Sequence, residues 1–487
     1  MNLWRAFGTN PTIWLTVEKL TQQAIWLLLF VVLARILGPQ PYGIFTIAMA
    51  FIGFCEVVIV GATVEALVTV PDANDGHLRT ANLLTVIAAA VSAIAAFAAA
   101  PLLAKIFDSA DLEPVFRTLA VLPVISALTA TPIAILTRAM RFRALAVRSI
   151  FGLLAGGIVG LFLAWYGAGV WALVAQILVQ RCVELALLWA SAHSRCSFAW
   201  SASHFSDMRG YAMSVGVSKS MAWFGSQIPR IILGWYLGPT DLGLFALAAR
   251  IVDCVIQIFI VPQAWVARVA LRRFADEPSG FAPAFQLLIR QIAVLSFPVC
   301  CGLAAIMPGI FVDFLSQPWR AGIPAAQILI LTGIPATFYY CFTAAVLAAR
   351  QPHLDSQIAV ATDSTTAIAV LLVASHGLYA ACIAMLLQRI AMMPAPLIML
   401  RRATGISPLT VIWAQLPILT AAAIMALIVV WFTPLVERVT SHSLLMPVLI
   451  LIGAFAYLPL VTIAAPDVVR GTYRRLAELI SPGLEPV

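Results

Sequence analysis

Lys219, Trp223, Gln227 and Arg230 stand three or four residues apart in a long apolar segment. At about 100 degrees per residue of helix they share a sector roughly 80 degrees wide. Arg250, Asp253 and Gln257 form a second stripe at i, i+3 and i+7 on the next apolar segment, and Glu18, Lys19, Gln22 and Gln23 crowd the start of the first. Ionisable groups in hydrocarbon are costly, so they face a partner or a water-filled cavity. In these stretches the cations Lys19, Lys219, Arg230 and Arg250 outnumber the acids Glu18 and Asp253, a lining suited to an oxyanion such as a phosphate or pyrophosphate. The competing reading makes Arg250–Asp253 and Lys19–Glu18 structural ion pairs. It applies less to Lys219 and Arg230, which have no acid on their own stripe, and Arg230 is the leading candidate for substrate contact. Glu18 and Asp253 are candidates for charge balance or ion coupling.

The elements that must position these groups are membrane helices. Sixty-two per cent of the 487 residues are hydrophobic and only 10% are charged, far from the soluble average. Spans of about 20 residues fit at 12–37, 41–68, 80–106, 114–137, 146–167, 169–191, 211–237, 240–265, 291–315, 323–348, 355–375, 377–399, 410–433 and 443–465. The chain is therefore expected to be an all-α polytopic membrane protein of about fourteen spans. Loops after even-numbered spans carry most of the arginines, among them Arg138, Arg141, Arg143, Arg268, Arg272 and Arg273, which predicts cytoplasmic N- and C-termini.

Residues 17–48 and 217–248 align without a gap, with nine identities that include Lys19/Lys219 and the motif Leu-Gly-Pro-x-x-x-Gly-x-Phe. The repeat predicts two pseudo-symmetric halves around a central cavity: 1–205 holding spans 1–6, 206–405 holding spans 7–12, and 406–487 adding two spans and a tail. In each copy Gly38 or Gly238 caps a helix, and Pro39 or Pro239 prevents its continuation. Gly43 and Gly243 lie just inside the next helix, where a missing side chain lets neighbours approach.

Other chemistries lack their residues. No phosphate-binding GxxxxGK[ST] loop, metal-ligand cluster, cofactor motif or nucleophile–base set is present, and no basic stretch alternates with aromatics as in a nucleic-acid binder. The eight cysteines are scattered through apolar segments as packing residues. Glu56, Glu65, Glu184 with Arg181, Asp363 and Arg389 also fall within or near spans, where interhelical pairing or an end position is the favoured reading and proton coupling the alternative.

With fourteen spans in two halves, the hairpins LGPQPYGIFTIA and LGPTDLGLFALA, and LTRAMRFRALAVRS after span 4, the chain resembles the polysaccharide-export flippases of the multidrug/oligosaccharidyl-lipid/polysaccharide exporter superfamily. The resemblance implies an inner-membrane transporter that moves polyprenyl-pyrophosphate-linked oligosaccharides for O-antigen, capsule or exopolysaccharide assembly. Membrane lipids, and a polysaccharide polymerase with its chain-length machinery, are the implied partners. Family members often carry Asp-Arg in span 7, whereas this chain has Pro229-Arg230; the arginine carries over, and Pro229 is expected to kink or break the helix. The alternatives are a peptidoglycan-precursor flippase and a multidrug or cation antiporter, the latter calling for an acidic cavity.

Overall fold

The computed structural model describes residues 11–70, 73–192, 197–274, 278–404, 407–439 and 442–470. The side chains of residues 11–20, 278–279, 402–404, 439 and 442–443 lie outside that description. The described chain is helical throughout. Among the described residues twelve helical stretches are long and apolar enough to cross a bilayer; one of them, Ala202–Arg272, holds two crossings, and Pro11–Leu37, described with its side chains from Thr21 to Leu37, completes fourteen. Helices dominate because lipid offers no hydrogen-bond partner to the backbone.

Span ends differ from the hydropathy reading where helix continues past the apolar stretch. Span 7 starts at Ala202 and span 9 at Pro278, because polar residues sustain helix beyond the bilayer while the apolar stretch defines only the crossing. Pro229 does not break span 7 as expected: Gly238 is the residue with non-helical dihedrals inside Ala202–Val255. One missing amide is tolerated where the rest of a helix is buried and hydrogen-bonded.

The chain forms two compact units. The first comprises Met1–Ala246 with Phe314–Pro318, the second Leu247–Asp313 with Trp319–Val487. In the first, span 5 (Phe142–Trp165) packs on span 6 (Val170–Ala192) through glycines one turn apart. Gly152 faces Glu184, while Gly156 and Gly160 lie against Gln176 and Gln180, so a polar ladder on span 6 sits on a stripe without side chains. Small residues allow such close approach in membranes. A Cβ at Gly156 would overlap the Gln176 carbonyl and come within 2.9 Å of the Gln180 Cβ. Gly156→Val is expected to cost about 2 kcal/mol, seen as a lower thermal midpoint of the purified protein. Gly210→Ala, with nothing within 4 Å, should be neutral or stabilising.

The repeated turns have nearly the same backbone: Gly38 at φ 76°, ψ 177° and Gly238 at φ 79°, ψ −179°. Both lie in the positive-φ region open to glycine, and nothing crowds either position. The glycines five residues on serve packing instead. Gly43 lies against the backbone of Pro239, and Gly243 against that of Pro39, a reciprocal approach that any Cβ would block.

In the second unit, Phe285, Ile289 and Phe297 of span 9 (Pro278–Phe314) form a core with Phe338 and Phe342 of span 10 (ending in Gly333–Ala348) and with Val411, Ile418 and Met425 of span 13 (Pro408–Trp413 and Leu416–Val439). Span 14 (His442–Ala464) is tied to span 9: Tyr457 donates to the Val294 carbonyl at 2.8 Å, and Arg290 reaches Asp467 at 2.9 Å and the Ala464 carbonyl at 3.1 Å.

Candidate functional site

Span 2 (Pro39–Thr69) and span 7 pack antiparallel within the first unit, from Gly43 against Pro239 at one end to Ala62 against Gly216 at the other. Below the reciprocal turns, Gly234 meets Ile47; further along, the Trp223 indole fills the notch left by Gly53 and donates Nε1–H to the Ala50 carbonyl at 3.1 Å. Phe54 and Phe224 pack with ring centroids 4.7 Å apart. The far end is electrostatic. The stem of Lys219 crosses Gly61, and its ammonium pairs with Glu65 at 2.8 Å. On the same stripe of span 7, Arg230 donates to Gln227 Oε1 at 2.9 Å, and Gln227 donates to Ser226 at 3.2 Å. Gln227 is buried, and its contact with Arg230 spans one turn of the helix.

Of the stripe read from span 7, Lys219 and Trp223 contact span 2, and Gln227 and Arg230 contact each other. Lys219, which has no acid on its own helix face, takes one from span 2, so Glu65 lowers the net positive charge counted from sequence. Gln22 and Gln23 are half-buried on span 1 (Pro11–Leu37), and the side chains of Glu18 and Lys19 fall outside the described residues. Arg250 and Asp253 belong to the second unit, both half-buried on span 8.

A second charged group in the first unit was visible in the sequence only as isolated residues. Arg181 Nη1 lies 3.1 Å from Glu184 and its Nε 3.4 Å from Glu56; Arg148 reaches Glu184 at 4.0 Å. Ser126 donates to Glu56, and Gln180 donates to Glu184 at 2.9 Å. The carboxylates are almost fully buried, with Glu56 8% and Glu184 4% exposed. Two acids and two arginines make this network neutral, as burial requires. Arg148 falls near the start of the span read from sequence at 146–167, and the helix that begins at Phe142 carries it inward. The signal that could have found the network is the ladder Gln176, Gln180, Glu184 at four-residue spacing opposite Gly152, Gly156 and Gly160.

The second unit has its own polar cluster. Gln388 on span 12 is clasped by span 11, accepting from Thr366 at 2.9 Å and donating to Thr365 at 2.7 Å. Beside it Arg389, Tyr339 and Thr362 line a small cavity rimmed by Met392, Met393 and Pro396. Among the described residues no group of His, Cys, Asp or Glu is arranged to hold a metal ion.

The sequence profile described as "Polysaccharide biosynthesis protein" matches residues 32–324, more than half of the chain. The protein belongs to this polysaccharide biosynthesis family. Within reach of the family are the succinoglycan biosynthesis transport protein ExoT of Rhizobium meliloti (strain 1021), 24% identical over 62% of this chain and 61% of its own, and the teichuronic acid biosynthesis protein TuaB of Bacillus subtilis (strain 168), 24% identical over 58% and 59%. The chain thus spans about three-fifths of the length of each. The fold is similar to a solved structure of the lipid II flippase MurJ in an inward closed conformation, with a TM-score of 0.76 at 13% identity over 93% of this chain and 99% of that one. It also matches an inward-facing multidrug transporter of the MATE family, with a TM-score of 0.62 at 14% identity over 79% and 94%. The family member described here is a multi-pass membrane protein whose fold is that of solved transporters.

Proposed function

We propose that this protein is a flippase that carries polyprenyl-diphosphate-linked oligosaccharides across the bacterial inner membrane for surface polysaccharide assembly, with both termini in the cytoplasm. The observation that carries this reading is the basic stripe of span 7: Lys219, Gln227 and Arg230 lie on one helix face inside a polysaccharide-biosynthesis family fold. A guanidinium offers directional donors to a diphosphate. The names of ExoT and TuaB support an exported polysaccharide as the cargo's fate. The polar lining would face the two sides of the membrane in turn, taking up diphosphate and sugars while the polyprenyl tail stays in lipid.

Complementation tests the reading. In a strain deleted for the gene, wild type is expected to restore surface polysaccharide. Arg230→Ala, expressed at equal level, should lower export at least tenfold and leave lipid-linked repeat units accumulating, since losing a charged contact to a diphosphate costs about 2 kcal/mol. If the deletion leaves polysaccharide and its lipid-linked intermediates unchanged, the assignment fails. Rescue of a strain depleted of its peptidoglycan-precursor flippase would instead identify that cargo.

A further inference from the structure

Lys219 is engaged by an acid that the flippase reading does not use. We infer that Glu65 is an internal counter-anion, which holds Lys219 until the diphosphate of the substrate replaces it, and that this exchange unfastens span 2 from span 7. The inference rests on the flippase reading, because it presupposes a diphosphate substrate.

The geometry is that of a latch. Gly61 and Glu65 are one helical turn apart on span 2, and the Lys219 stem lies along that ridge: a Cβ at Gly61 would come within 2.7 Å of its Cδ and 2.8 Å of its Cε. The missing side chain lets the ammonium reach Glu65 at 2.8 Å. The pair is only partly buried, with the Lys219 side chain 30% and the Glu65 side chain 46% exposed, in contrast to the buried carboxylates around Arg181. Partly exposed ion pairs contribute little to stability and exchange readily. A diphosphate brings more charge and more acceptor oxygens than one carboxylate, so it outcompetes Glu65 for the same ammonium. Freed of the Lys219 contact, this end of the seam retains the close approach of Ala62 and Gly216, and the aromatic contacts of Trp223 and Phe224 lie further along. The device is one-sided in sequence. At the corresponding place in the repeat, span 8 has Trp265 and Val266, neither of them acidic.

The seam supplies its own reporter. A Cβ on Gly216 would lie 3.8 Å from that of Ala62, the separation typical of a disulfide. The full-length protein carrying Ala62→Cys and Gly216→Cys, with Cys182→Ser and Cys196→Ser, is reconstituted in nanodiscs, and its oxidation rate is followed with and without farnesyl diphosphate. Binding of the same probe is measured on the parent protein. Farnesyl diphosphate should slow cross-linking about fivefold, a modest coupling between two sites. Glu65→Gln should bind the probe about fivefold more tightly, having lost the competitor, and cross-link slowly without ligand. Lys219→Gln should cross-link slowly and ignore the probe, while Lys219→Arg keeps the response. Unchanged or weaker binding by Glu65→Gln, or cross-linking indifferent to bound probe, overturns the exchange alone. Failure of every form, wild type included, to bind farnesyl diphosphate sinks the diphosphate-substrate reading and the exchange with it.

Discussion

Alanine at Gly43 is expected to cut export by more than tenfold, and alanine at Gly243 to do the same. These methyl groups would be the smallest of changes, but each would meet a backbone. At Gly43 it would overlap the Pro239 carbonyl, and at Gly243 that of Pro39. A side chain can rotate away, whereas a carbonyl fixed in a Gly-Pro turn cannot, so the hairpins must separate. Overpacking of this kind costs about 2–3 kcal/mol, and about 2 kcal/mol is a roughly thirtyfold shift against the packed arrangement. The two sites share one displacement. Once the first substitution has parted the turns, the second has less to push against, so the double variant should be distinctly less than additive. Thermal midpoints of the purified single and double variants, read beside export, check this. Wild-type behaviour of both singles would show that the approach of the turns contributes nothing. Gly38→Ala and Gly238→Ala provide the contrast: they meet no neighbour and should suffer only from the positive φ.

The second large effect is expected at Arg181. Arg181→Met keeps much of the side-chain volume but strands Glu56 and Glu184, which then have Arg148 at 4.0 Å from Glu184 as their remaining counter-charge. Removing one member of a buried ion network costs about 3–5 kcal/mol, because the residual charge is left without compensation. The protein should lose much of its resistance to heat in detergent, and little should reach the membrane. Adding Glu56→Gln to Arg181→Met should recover part of the loss, since one stranded carboxylate disappears. If Arg181→Met unfolds at the wild-type temperature, the network is not structural. The contrast with Lys219 is in the acids: the two cations are about equally exposed, whereas Glu56 and Glu184 are buried and Glu65 is 46% exposed, so the same opposite-charge chemistry is a staple around Arg181 and an exchangeable contact at Glu65.

What the sequence determined by itself is whatever depends on local periodicity and on solvent. Fourteen crossings were legible because each must be long and apolar enough to bury its own backbone in lipid, which leaves a strong signal along the chain. The Leu-Gly-Pro turns were legible because positive φ and a missing amide restrict the residue types allowed there. The alignment of Lys219, Gln227 and Arg230 followed from helical geometry alone, and Arg230 does meet Gln227 one turn away. Tertiary structure decided the partners. Lys219 has no acid on its own stripe and finds Glu65 on span 2; Arg181 draws together Glu56 from span 2 and Glu184 from its own helix; Gly43 finds its reason in Pro239. A helical wheel fixes which residues share a face. It contains nothing about the rotation and register of one helix against another, and those two quantities choose which opposing groups meet.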